Sequence, residues 1–316
     1  MKFKTLLLNV LCFVALASYA QDSSDKIIYL DSLSQETTNG NHDSYRIVKD
    51  YYIQRDFYTF TDYYKSGKIQ TTGKSTKKDY ISENGEVLYY YENGNLKQQT
   101  NFNKNIKSGK HHTWYENGNK KLEGEYVEKK EGENRSSYLK INQFWGIEKK
   151  HDVINGNGFY LETEKNYSAS GNIRNGLKDS IWSGRHDNPQ IIFSETYKNG
   201  KLLSGTSTDK FGIAHDYREI EIRPEAKGGI MGFYKYIMNN FRAPEKEGIN
   251  GSVISAFIIE TDGSVSNVKV IKSLGFGADE EAIRVISAYK DWSPGILRGV
   301  PVKVKYSIPI KIQTPD

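Results

Sequence analysis

The residue types that carry chemistry are present in this 316-residue chain, but they are not spaced as chemistry requires. Of its six histidines, two are adjacent, His111 and His112. On an extended strand these point to opposite faces, so they cannot share a metal ion. Glu280 and Glu281 could form an acid pair, but with Asp279 they open an amphipathic stretch, where a helix dipole favours acids. The single cysteine, Cys12, lies in an apolar run. Gly-x-Ser-x-Gly, His-Glu-x-x-His and a phosphate-cradling Gly-rich loop are all absent from the sequence. We therefore expect no catalytic residue, no metal ligand and no cofactor. One phrase recurs, "YYENGNLK" ending at Lys97 and "WYENGNKK" ending at Lys121. Its Glu beside Asn is either an acid with an orienting amide or part of a scaffold.

The elements around the phrase favour scaffold. Turn signals recur at Lys65-Ser66-Gly67, Glu83-Asn84-Gly85, Glu92-Asn93-Gly94, Glu116-Asn117-Gly118, Ala169-Ser170-Gly171 and Lys198-Asn199-Gly200. Most follow a tyrosine. Asn-Gly between extended segments signals a hairpin, because both residues tolerate the positive φ of a type I′ turn. Leu122, Gly124 and Tyr126 alternate with Lys121, Glu123 and Glu125, the period of a strand with one wet face. Gly67, Gly94, Gly118, Gly171 and Gly200 are thus expected at hairpin tips, with Gly263 in a further turn. Repetition at this period points to stacked units, each too small to bury its own face. The 23 tyrosines suit such a half-wet sheet, having an apolar body and a polar tip.

At the N-terminus, basic Met1 to Lys4 precede an apolar run, Leu6 to Ala17, and the small residues of Ser18-Tyr19-Ala20. This reads as a signal peptide over 1–20, cut before Gln21, which exports the chain to the periplasm. The run is shorter than the ~20 residues a spanning helix needs; left uncleaved, it would anchor the chain at the inner membrane. Cleavage leaves no cysteine, so neither disulfides nor thiolate metal sites are available to hold the fold. The formal charge of +5 falls to +3 once Lys2 and Lys4 are gone, 42 basic residues against 39 acidic. That balance argues against a nucleic acid partner.

The phrases "YKSGKIQTTGK", "YENGNKKLEGEY", "YSASGNIRNGLKDSIWSG" and "YKNGKLLSGTS" resemble the bacterial MORN-type repeat. The resemblance implies β-hairpins stacked into an antiparallel sheet, an all-β region assigned to 45–216 after a polar segment over 21–44. Such repeats are associated with protein contacts and, in some relatives, lipid contacts.

From Arg223 the pattern changes. Ile230, Phe233, Tyr234, Ile237 and Phe241 give a helix over Gly229 to Phe241, stopped by Pro244. Strands follow over Gly251 to Glu260 and Val265 to Lys272, joined by Thr261-Asp262-Gly263. A second helix fits Asp279 to Lys290, and a last strand Val302 to Lys311. Helix, hairpin, helix, strand is an α+β layer, placed at 217–316.

This stretch resembles the TonB C-terminal domain family. The resemblance rests on Gly228-Gly229, Gly248-Ile249-Asn250-Gly251-Ser252-Val253, Glu260-Thr261-Asp262-Gly263-Ser264-Val265, Trp292-Ser293-Pro294-Gly295 and Gly299-Val300-Pro301-Val302. It differs in having Ala243-Pro244 after the first helix and no Pro-rich spacer, with only seven prolines in the chain. The hairpin repeats stand where the spacer would be. The resemblance implies partner binding by strand addition at an exposed edge. The edge that fits is Val302, Lys303, Val304, Lys305 and Tyr306, leading to Pro309 and Lys311. Lysines and proline are what an exposed edge uses against uncontrolled pairing. The implied partner is an outer-membrane receptor or other envelope protein, and an open edge also admits a second copy of the chain as a homodimer. Two alternatives stay open: an anchored transducer of energy for transmembrane transport, and a glycan- or lipid-binding module.

Overall fold

The computed structural model describes residues 24–32, 34–148 and 150–315. The expected signal peptide at 1–20 lies outside the described residues. The chain divides into two compact units at 138/139, so the compositional change near Tyr217 to Pro224 falls inside the second.

The first unit holds β1 (Lys26–Leu30), β2 (Glu36–Thr37), β3 (Ser44–Val48), β4 (Tyr58–Tyr64), β5 (Ile69–Ser75), β6 (Gly85–Tyr90), β7 (Leu96–Asn103), β8 (Ile106–Trp114) and β9 (Lys120–Glu131). From β3 onward each strand pairs antiparallel with the next. The segment expected to be merely polar, 21–44, instead supplies β1, because its apolar run Ile27 to Leu30 pairs in register with β3. Val48, Tyr58, Phe60, Val87 and Phe102 form the core of this unit. Asp62 is buried beside them and is matched by a two-pronged contact from Arg46, at 2.6 and 2.9 Å.

The repeated phrase is a hairpin tip of a different kind from the one its Asn-Gly pair predicts. Tyr91 N donates to Asn95 O and Gly94 N to Tyr91 O, both at 2.9 Å. Gly94 has φ 91°, whereas Asn93 is not left-handed. The tip is therefore a type I turn closed by a glycine bulge, and the same bonds recur at Tyr115–Asn119. With its backbone free of the left-handed region, Asn93 uses its side chain instead: Oδ1 accepts from Asn95 N at 2.9 Å. The tips at Tyr64 and Tyr91 also hook the next hairpin. Tyr64 Oη donates to Tyr90 O at 2.7 Å, and Tyr91 Oη to Trp114 O at 2.9 Å. Asn93 Nδ2 and Asn95 Nδ2 both donate to Glu116 O, at 2.9 and 2.8 Å. The expected two-residue turn, with both φ positive, occurs at Asn155-Gly156, Asn175-Gly176 and Asn199-Gly200.

The second unit begins within β10 (Asn134–Trp145) and continues through β11 (His151–Ile154), β12 (Asn157–Glu164), β13 (Tyr167–Arg174), β14 (Leu177–Asp187), β15 (Gln190–Lys198), β16 (Lys201–Asp209) and β17 (Ala214–Tyr217). These strands again pair in sequence order. Gly171, expected at a hairpin tip, is corrected to mid-strand β13. There it faces Trp182, and an added Cβ would lie 2.5 Å from Trp182 Cδ1. Trp182 is fully buried, and its indole N–H donates to Asn172 O at 2.9 Å.

The same unit then forms β18 (Glu221–Ile222), β19 (Glu225–Ala226), α1 (Gly229–Asn240), β20 (Asn250–Ile259), β21 (Val265–Lys272), α2 (Ala278–Ser287), β22 (Trp292–Ser293), β23 (Gly295–Leu297), β24 (Val300–Val302) and β25 (Val304–Gln313). The expected order of helix, hairpin, helix, strand is present. The helices cover a sheet in the order β21-β20-β25 around a core that includes Phe233, Phe257, Val285, Ile286, Trp292 and Ile308.

Replacing Gly171 with Ala is expected to destabilise the protein by about 1–3 kcal/mol, the usual range for overpacking. Equilibrium urea unfolding measures it, and a change within about 0.5 kcal/mol would remove the glycine's role as a seat for Trp182.

Candidate partner-binding edge

β25 is a strand with one face in the core and one edge unpaired. Ile308, Ile310 and Ile312 are buried against the helix layer, while Lys305, Ser307, Pro309 and Lys311 between them are exposed. Along one edge it pairs with β20 through ten successive residues, Asn250↔Gln313 to Ile259↔Val304. No strand pairs with its other edge among the described residues.

Proline reveals which backbone groups face that open edge. Pro309 has no N–H to give, so it fits the ladder opposite Ile254 only where N and O point away from β20. Its carbonyl accepts from Tyr234 Oη of α1 at 3.4 Å. Orientation alternates along a strand, so Lys305, Ser307 and Lys311 point their backbone N–H and C=O groups the same way as Pro309.

The residues expected at the edge do not all lie on it. Val302 is corrected to β24, where it pairs with Gly295: the turn at Arg298-Gly299 commits Val300–Val302 to the β23 ladder, and the chain changes partner at Lys303. Lys303 Nζ lies 2.7 Å from Glu260 Oε2. Its hydrogen bond, with a second from Ser266, holds the Glu260 carboxyl below the usual range. Val304, Lys305 and Tyr306 open β25 opposite Ile259, Ile258 and Phe257. Tyr306 turns its ring inward, 5.2 Å from Trp292. Lys305 and Lys311 are exposed, and neither forms an ion pair among the described residues.

The other candidates resolve into scaffold. Gly67, Gly94, Gly118, Gly200 and Gly263 all have φ between 79 and 91°. His111 is buried with Nδ1 2.8 Å from Thr100 Oγ1, and burial pulls it down to about 4. His112, on the opposite face, meets Gln99 Oε1 at 3.1 Å. Among the described residues no group of three or more His, Cys, Asp or Glu is placed to hold a metal. Glu281, brought down to about 2 chiefly by Arg284, accepts from Arg242 N at 2.8 Å and so ties α2 to the chain after α1.

Sequence reading missed the most enclosed polar cluster of the second unit. Arg298, at the tip of the β23–β24 hairpin, is 4% exposed, and its Nε donates to Glu195 Oε1 at 2.8 Å. Glu195, 1% exposed on β15, also accepts from Tyr217 Oη at 2.7 Å and Tyr197 Oη at 2.9 Å. Burial, then the Glu195 charge, pushes the Tyr197 phenol above its ordinary value. The guanidinium lies 3.8 Å from the centre of the Phe193 ring.

Comparison with known families agrees with this layout. Residues 242–312 match the family described as Gram-negative bacterial TonB protein C-terminal, spanning β20 to β25 and both flanks of α2. Residues 83–104, the hairpin of β6 and β7 with its Tyr91–Asn95 tip, match the MORN repeat variant. No curated protein matches the chain. The chain therefore carries a TonB C-terminal domain at 242–312, preceded in sequence by antiparallel hairpins that include a MORN-type repeat.

Proposed function

We propose that the chain is a non-catalytic envelope adaptor that takes up an extended segment of an envelope protein by strand addition at β25, with the hairpin repeats as spacer or docking surface. The open edge of β25 carries this reading. Its outward N–H and C=O groups at Lys305, Ser307 and Lys311 offer a peptide the main-chain bonds that β20 makes on the other side. Exposed Lys305 and Lys311 keep the edge soluble and favour a partner segment with acidic residues. The repeats support the spacer role because their tips are hooked one to the next, which stiffens the array in the way a flexible linker cannot.

A photo-crosslinking residue at Lys305 in intact cells is expected to capture an outer-membrane or periplasmic protein, while the same residue at Lys290 captures none. Adding Ser307→Pro removes one outward N–H and leaves the β20 ladder intact. Capture should then fall about fivefold or more, since one main-chain bond with its steric consequence amounts to roughly 1 kcal/mol or more. Equal capture at the two positions, or no loss with proline, would sink strand addition.

The mature N-terminus separates an adaptor from an anchored transducer. Intact-mass spectrometry of the exported protein is expected to give a chain starting at Gln21. Retention of Met1–Ala20 would favour the membrane-held transducer instead.

A further inference from the structure

The β23–β24 hairpin reaches out of the C-terminal domain with Arg298 at φ 50° and Gly299 at φ 80° at its tip. Gly299 lets the backbones approach closely: a Cβ there would lie 2.9 Å from Cβ of His215 on β17. Arg298 enters the face of β13 to β16. Its carbonyl accepts from Ser207 Oγ at 2.6 Å, and its NH1 is 2.6 Å from His186 Nε2.

A guanidinium can only donate. His186 Nε2 must therefore be the acceptor, which fixes the imidazole as neutral with its proton on Nδ1. The groups around His186 offer no replacement for that arrangement. Tyr167 of β13 lies with its ring 4.9 Å away and Phe193 of β15 at 6.1 Å. The Glu195 carboxylate is held by Arg298, Tyr197 and Tyr217. Asp187, next along β14, pairs with Arg185 at 3.3 Å.

We propose that Arg298 and this socket are a latch that docks the C-terminal domain on the repeat sheet while His186 is neutral and releases it when His186 is protonated. Protonation turns the acceptor into a donor aimed at a donor and sets a second positive charge against the guanidinium. Burial, and then the Arg298 charge, hold His186 below the ordinary histidine value. The sign follows: the folded value is depressed, so the stabilisation is complete above about pH 6.5 and is lost as pH falls through the lower folded value. The latch sets how the hairpin that leads into β25 is held, whatever occupies the edge.

The test uses the full chain with Cys12→Ser and spin labels at Thr196→Cys on the repeat sheet and Lys272→Cys on β21, both exposed. Pulsed dipolar spectroscopy is expected to give one narrow distance at about pH 7.5 and a broad distribution at about pH 4, below the ordinary histidine range because the docked His186 is depressed. His186→Gln keeps an acceptor for Arg298 and cannot be charged, so it should stay narrow at both. Arg298→Ala should be broad at both. A narrow distance at about pH 4 in the parent, or equal broadening with His186→Gln, overturns the latch; since His186→Gln retains the contact, failure of Arg298→Ala to fold leaves that comparison decisive.

Discussion

The hairpin region rests on one packing constraint: a ring from one strand needs a glycine on its neighbour. A sheet face built from short hairpins cannot pile large side chains opposite each other, so rings lie flat over positions that have no Cβ. A Cβ at Gly171 would meet Trp182 at 2.5 Å, one at Gly184 would meet Phe193 at 2.4 Å, and one at Gly205 would meet Tyr217 at 2.3 Å. Gly73 seats Phe60 and Val87 in the same way, at 3.1 and 2.8 Å. The residues that shape the Arg298 socket, Phe193 and Tyr217, are themselves held by this pairing. The polar cluster is therefore built on rings whose positions the glycines have already set.

A buried ion pair is poor evidence of stability, because desolvating both charges can cancel their attraction. Arg298 and Glu195 make sense as a means of choosing one docking geometry. Tyr197 and Tyr217 each donate to one oxygen of Glu195, and Arg298 supplies the remaining bond and the countercharge. Only a cation arriving along the path of the β23–β24 hairpin completes the set. An apolar side chain there would pack, but would leave Glu195 charged and incompletely paired, at a cost of about 3–5 kcal/mol. The cluster thus discriminates against other placements of the C-terminal domain on β13 to β17 more than it deepens the right one.

The turns and the order of elements were legible in the sequence because they depend on neighbours a few residues apart. Asn199-Gly200 forms the two-residue turn its types predict. Asn93-Gly94 has the same types, yet its Asn takes a different conformation, because a tyrosine before it and an asparagine after it close a longer loop. Gly171 was misread for a related reason: Ser170-Gly171 looks like a tip until Trp182, eleven residues on, is seen to need the space. Val302 reads as the start of β25, but its partner is set by the turn at Arg298-Gly299. Arg298 itself gave no signal, since its partners His186 and Glu195 are 112 and 103 residues away.

Pro309 limits what the open edge of β25 can accept. An added strand would find outward N–H groups at Lys305 and Ser307, none at Pro309, and one again at Lys311. The carbonyl of Pro309 is also engaged, by Tyr234 of α1. A long strand would leave its own backbone unmatched at the centre of the edge, whereas a segment of a few residues beside Lys305 and Ser307 would not. The same interruption that keeps the edge from pairing with any passing strand would therefore limit an added strand to a short segment next to Lys303, where the chain leaves the hairpin that Arg298 holds.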